Sequence, residues 1–164
     1  YDAIAAWPIH VIDKKEPMAS VLAVVRSRHR RQPIACLFVD FMQRYGQDPK
    51  ALDPILDRLL QFAGAEQVAV VALSQITKQY TPKGAVDTNR PHLASMKGST
   101  TLGEQAGMVW ILWRPERDGV AHVKTSLGDL SSAGKMELAV AKNSDGPTFS
   151  VMLDFREELF RISE

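Results

Sequence analysis

The sequence predicts an α/β fold with a mainly parallel central sheet and a C-terminal antiparallel hairpin, and three observations carry that prediction. Two short apolar runs, 34–39 and 68–73, lack polar alternation, which is the composition of strands covered on both faces. Between them lies one amphipathic stretch of helical period. Beyond residue 135, two alternating segments flank Ser144-Asp145-Gly146-Pro147, a turn sequence of the kind that joins antiparallel neighbours.

The elements follow in order. Residues 7–12 form a short apolar run bounded by Pro8 and Asp13, read as a strand. Pro17 then opens a helix to about residue 31, with Met18, Val21, Leu22 and Val25 at helical spacing. The first central strand ends at Asp40. Asp53 and Pro54 read as the start of the next helix, Ile55, Leu56, Leu59, Leu60 and Ala63 as its apolar face, and Gly64 as its stop. A second central strand covers 68–74. Strand, helix and strand in this length make a right-handed βαβ unit, so both strands finish on the edge where ligands bind in open sheets. Residues 76–99 show no periodicity, and a loop of that length in a compact domain is usually functional. A third apolar strand is expected at 107–113, a polar linker with three glycines at 114–135, paired strands at 136–143 and 148–155, and a last strand at 159–162.

Composition sets limits on function. A chain of 164 residues, 45% hydrophobic and 24% charged, holds one core, so it is one domain or most of one. The apolar runs fall far short of the ~20 residues of a membrane span, and no signal peptide is visible. The lone cysteine, Cys36, sits inside an apolar run and reads as a small buried hydrophobe in a reducing compartment. A net charge of +1 excludes bulk electrostatic coating of nucleic acid, so any such contact must come from locally placed Lys and Arg. The chain opens on Tyr1 and not Met, and is expected to be part of something longer.

Two residues at strand ends could carry chemistry. A carboxylate such as Asp40, leaving a sheet on the ligand edge, can hold the water shell of a nucleotide-bound Mg²⁺, although an acid there also serves as a turn cap. Gln75, after Ser74 on the neighbouring strand, offers a neutral amide to a phosphate or a water. The loop 76–99 holds Lys78, Lys83, Arg90 and Lys97 against Asp87 alone, an excess suited to phosphate contacts. Arg26, Arg28, Arg30 and Arg31 end a predicted helix, where cations meet the negative end of its dipole, and their reading is structural. Trp110 and Trp113 are expected in the core. His10, His29, His92 and His122 lack metal-ligand spacing.

The stretches around these residues resemble known motifs. Phe38-Val39-Asp40-Phe41-Met42-Gln43 and Val70-Val71-Ala72-Leu73-Ser74-Gln75 resemble the second and third helicase motifs of the DnaB family of hexameric replicative DNA helicases. Arg90-Pro91-His92-Leu93, with Lys97-Gly98-Ser99 and Glu104-Gln105-Ala106, resembles its fourth, a DNA-binding loop. Ala141-Lys142-Asn143 and Gly146-Pro147-Thr148 resemble the hairpin that reaches a neighbouring subunit. Four blocks in this order are specific where any one is not.

The resemblance implies a RecA-like three-layer sandwich, with residues 1–164 forming a single partial motor domain. It further implies ATP and Mg²⁺ as cofactors, with Asp40 holding the metal through water, Gln75 as sensor and Lys142 acting on the neighbour's nucleotide. Arg90, Lys97 and Ser99 would touch single-stranded DNA inside a hexameric homo-oligomeric ring. A primase or loader is an implied partner, and the setting is cytoplasmic, bacterial or encoded by a phage or plasmid.

The family also needs a Gly-rich phosphate loop, expected upstream of residue 7. The stretch 128–135 imitates one, but five residues separate Gly128 from Gly134 where the motif has four, and no Ser or Thr follows Lys135. Other departures are Ser144, where the family usually has an arginine finger, and Ser95 and Gly98, where acids are common. Another RecA-fold ATPase of recombinase or clock type, or a non-catalytic assembly remnant, would share part of this pattern.

Overall fold

A computed structural model describes residues 7–14, 16–76, 90–96, 100–125 and 128–163. Helix α1 covers Met18–His29, with Met18, Val21, Leu22 and Val25 on its buried face, as their spacing predicts. Ahead of it, residues 7–14 are exposed and form no strand; Trp7, Ile9 and Val11 face solvent. An apolar run becomes a strand only where it pairs with a neighbour, and residues 7–14 pair with no described strand.

Strand β1 is Cys36–Val39 and helix α2 is Pro49–Glu66. The start of α2 lies five residues before the Asp53-Pro54 expected from sequence. The cap is Asp48, whose Oδ1 accepts from the Ala51 amide at 3.0 Å, with Pro49 in the first turn. Pro54 lies inside the helix, where it removes the bond to the Lys50 carbonyl. Both residues are exposed, so water can serve that carbonyl. Gly64 does not end α2 either. The helix runs to Glu66 and is capped by Gln67, which adopts a left-handed φ of 55° and donates its side-chain amide to the Gly64 carbonyl at 2.7 Å.

Strand β2, Ala69–Ala72, pairs in parallel with β1, Cys36 opposite Ala69 and Val39 opposite Ala72. The crossover through α2 makes this parallel pairing possible. Helices α1 and α2 pack on one face of the pair, around Met42, Leu52, Leu59, Phe62 and Val68. The side chains of Phe38 and Val71 are exposed, so the described residues cover these strands on one face and not on both. Cys36 is half-buried; burial pushes its thiol pKa up while a backbone hydrogen bond with Val71 opposes. Phe62 is fully buried. Phe62→Ala is expected to cost roughly 3–5 kcal/mol of stability, read as a lowered urea midpoint with little change in slope.

The remainder is antiparallel. After the short helix α3, Thr100–Gln105, strand β3, Met108–Trp113, pairs with β6, Lys135–Asn143. Strand β6 pairs with β7, Phe149–Arg156, and β7 with β8, Arg161–Ser163. The hairpin of β6 and β7 is the one expected from the sequence. Residues 114–135, read there as a polar linker, carry a 3₁₀ turn at Glu116–Asp118 and a small hairpin of β4, His122–Thr125, and β5, Gly128–Ser131.

The expectation of a mainly parallel sheet is therefore corrected. Among the described residues only β1 and β2 run parallel, beside a four-stranded antiparallel sheet in the order β3-β6-β7-β8. Past β2, among the described residues, no α-helix joins two paired strands, and the crossover that parallel neighbours need is missing.

Candidate functional site

Parallel pairing of β1 and β2 brings their C-terminal ends to one edge. The Leu73 amide donates to the Val39 carbonyl at 3.0 Å, and the chain after β1 turns back so that the Met42 amide donates to the Leu73 carbonyl at 2.9 Å. Asp40 and Gln75 thus leave the sheet side by side, both exposed. The Asp40–Phe41 peptide is cis.

Gln43 holds this edge together. It is 3% exposed; its Nε2 donates to Ser74 Oγ at 2.9 Å and its Oε1 accepts from the Gln75 amide at 3.0 Å. An amide that both donates and accepts fixes the turn after β1 to the tip of β2, setting where Asp40 and Gln75 point. The sequence showed Gln43 as part of a motif without giving it a role, and a buried Gln next to an apolar run was the available signal.

Asp40 stands as a single exposed carboxylate, and among the described residues no group of three His, Cys, Asp or Glu could enclose a metal. Such an edge suits a magnesium ion already chelated by phosphates and met through its water shell, because Mg²⁺ keeps several waters. These residues fit that group.

The base of the loop 76–99 is closed by an antiparallel bridge between Ile76 and Met96. Ser95, where acids are common in the family, is 3% exposed; its Oγ accepts from the His92 amide at 3.0 Å and closes the 3₁₀ turn Leu93–Ser95. Met96 packs on α3 so closely that a Cβ on Gly103 would lie 2.7 Å from its terminal methyl. Lys78, Lys83, Asp87, Lys97 and Ser99 lie outside the described residues, between these anchored points.

Arg90, expected on the DNA backbone, is placed on Glu137 of β6. Its Nε donates to Oε2 at 3.0 Å and its Nη2 donates to Oε1, a two-pronged contact to a carboxylate only 3% exposed.

Lys142, expected to project from the hairpin towards a neighbour, is folded back. Its ammonium donates to the Gly103 carbonyl at 3.0 Å and to that of Glu104, covering the C-terminal end of α3. Ser144 is exposed at the turn, and its amide donates to the Gly107 carbonyl. Arg114 pairs with Glu157 at 2.8 Å and stacks on Phe155.

Three structural readings from the sequence can be placed. Residues 128–131 are strand, and Lys135 pairs with Asp154, so this stretch forms no phosphate loop. Arg26 is anchored to Glu66 at 2.9 Å and lies over Phe62, which is a structural use of that basic helix end. Trp113 is buried with its Nε1 donating to Asp118 at 2.9 Å. Trp110 corrects the expectation of a core residue: β3 alternates, and this side chain is 62% exposed on the other face.

Comparison with known proteins agrees with the motif resemblance. The family pattern described as DnaB-like helicase C terminal domain matches residues 1–164. A curated relative, a probable plasmid replicative DNA helicase of Chlamydia psittaci, is 26% identical over 149 residues, covering 87% of this chain and 30% of that protein. Among solved structures, one of a DnaB-like replicative helicase studied for its interactions with primase superposes with a TM-score of 0.80. The match is 22% identical and covers 99% of this chain and 39% of that one. A second solved structure, of an ATPase domain, gives a TM-score of 0.80 at 23% identity, covering 99% of this chain and 56% of that one. Both likenesses show a shared fold. The chain spans about a third of the curated relative's length. Matched along its whole length by the family pattern, it belongs to the DnaB-like helicase C-terminal domain family.

Proposed function

We propose that this chain is part of the ATP-driven motor of a replicative DNA helicase, working as a hexameric ring on single-stranded DNA in a bacterial, phage or plasmid system, in the cytoplasm and alongside a primase or loader. The observation that carries this reading is the edge at which Asp40 and Gln75 emerge together, locked by Gln43. ATP, when bound, supplies the phosphoanhydride whose hydrolysis drives movement along DNA. Asp40 holds the metal's water shell, and Gln75 meets the terminal phosphate or the attacking water through its amide. Lys97 and Ser99 contact the DNA backbone. Lys142 serves a neighbour's nucleotide once released from α3. The named relatives, a replicative helicase and an ATPase domain, support the reading. A recombinase or clock-type ATPase would share the Asp40 and Gln75 edge but not the family match.

Two expected results test this reading. The 164 residues contain no Gly-x-x-x-x-Gly-Lys-Ser/Thr loop, so this chain by itself should bind Mg-ATP negligibly in calorimetric titration. Micromolar binding lost in Asp40→Asn would show that the metal edge suffices. In the full-length ring, Lys97→Ala should weaken single-stranded DNA binding across sequences and reduce the salt slope by about 0.7, one phosphate on a single strand. An unchanged slope would place the phosphate contact on another residue.

A further inference from the structure

The Arg90–Glu137 pair has no part in the nucleotide edge, yet it joins the DNA-loop segment to the strand that carries Lys142. A surface arginine serving phosphates would be free to swing, whereas this fork is bound through two nitrogens to a carboxylate 3% exposed. Paired in this way its charge is compensated, and it offers little to a phosphate. Strand β6 makes a second contact with the same segment: the Lys142 ammonium on the Gly103 and Glu104 carbonyls.

Residues five apart on a regular strand point to opposite faces, since side chains alternate. Here a one-residue bulge intervenes: Val109 pairs with Lys142 but Trp110 pairs with Val140, leaving Ala141 extra. Because Glu137 is opposite Trp113 and Lys142 opposite Val109, both share the face of β3's buried residues. The bulge therefore turns two polar groups of β6 towards one segment, Glu137 to its beginning at Arg90 and Lys142 to its end on α3. Residues 97–99 lie between these points in the sequence.

We propose that Glu137 is a positioning residue for DNA binding, fixing the base of the DNA-binding loop to β6 through Arg90 while Lys142 holds the segment's far end. The proposal rests on the reading of residues 76–99 as the DNA-binding loop. It reassigns Arg90 from a phosphate contact to the segment's anchor on β6.

The sign of one substitution separates positioning from simple electrostatics. Glu137→Gln removes a negative charge beside a basic loop, which by charge alone should tighten DNA binding. Positioning requires the opposite: binding of a fluorescent oligothymidine by the full-length ring should weaken about tenfold, the worth of one charge-assisted contact, with an unchanged salt slope. Arg90→Ala should do the same, and the exchange Arg90→Glu with Glu137→Arg should recover most of the affinity. Measurements are made where circular dichroism shows each ring folded. If Glu137→Gln does not fold, Arg90→Lys replaces it, since Lys keeps the charge and lacks the fork. Lys97→Ala serves as the control. If its slope and affinity are unchanged, the DNA-loop reading fails. If Lys97→Ala responds while Glu137→Gln tightens binding, or Arg90→Ala alone lowers the slope, the positioning role is overturned and the loop reading stands.

Discussion

Asp40→Asn in the full-length ring should reduce steady-state ATP hydrolysis on the order of 10³-fold, comparable with the loss of one preorganised electrostatic contact in an active site. The substitution keeps the shape and removes the charge. Asp40 is exposed at a strand end, so the fold should change by no more than about 0.5 kcal/mol and the loss would be chemical. The two ends of the site can be told apart by metal. If Asp40 holds the magnesium shell, raising Mg²⁺ should restore part of the turnover of Asp40→Asn, because mass action replaces the missing attraction. Gln75→Ala should show no such recovery, since its amide meets phosphate or water and not the ion. Wild-type turnover in Asp40→Asn would reduce the residue to a turn cap and remove the main support for a nucleotide site here.

How much of this was legible before the fold was known depends on the range over which each signal acts. Asp40 and Gln75 were visible because both follow apolar runs, and parallel pairing of β1 and β2 then brings their ends together without further information. The hairpin of β6 and β7 was visible for a similar local reason, a turn sequence between alternating segments. Helix α2 was misplaced at its start because Asp48-Pro49 and Asp53-Pro54 carry the same signal five residues apart, and it is Asp48 that caps the helix. The small hairpin of β4 and β5 has four-residue strands, too short for alternation to show, so its glycines read as a linker. The partners of Arg90 and Lys142 were beyond reach. Glu137 lies 47 residues from Arg90. The side to which Lys142 points is set by the bulge at Ala141, and no local sequence rule gives the phase of a bulged strand.

Lys142→Ala should remove most turnover in the full-length ring while leaving nucleotide binding within each subunit largely intact. The ammonium now on the α3 carbonyls is a compact charge that can neutralise a phosphate oxygen, though it lacks the planar fork of an arginine. Leaving α3 uncovers two carbonyl groups, a cost of about 1 kcal/mol that a charge-assisted contact with a neighbour's phosphate would more than offset. The exposed Ser144 contributes almost nothing to that charge, and Ser144→Arg should hold or raise turnover, since an aligned arginine finger in phosphoryl transfer is worth ~10³-fold or more. Loss of activity in Lys142→Ala could also follow from a disturbed α3, and mixed rings separate the two causes. If Lys142 acts across the subunit boundary, combining Asp40→Asn subunits with Lys142→Ala subunits creates boundaries at which an intact Asp40 faces a neighbour's intact Lys142, so hydrolysis should exceed that of either parent ring. If Lys142 serves only its own subunit, no boundary in the mixture is complete and activity stays at the parents' level. Arg114 offers no ready substitute, because Glu157 and the Phe155 ring already hold it within its own chain. Full turnover in Lys142→Ala would make the helix cap the whole of its role, and the positive charge at the boundary would have to come from another residue.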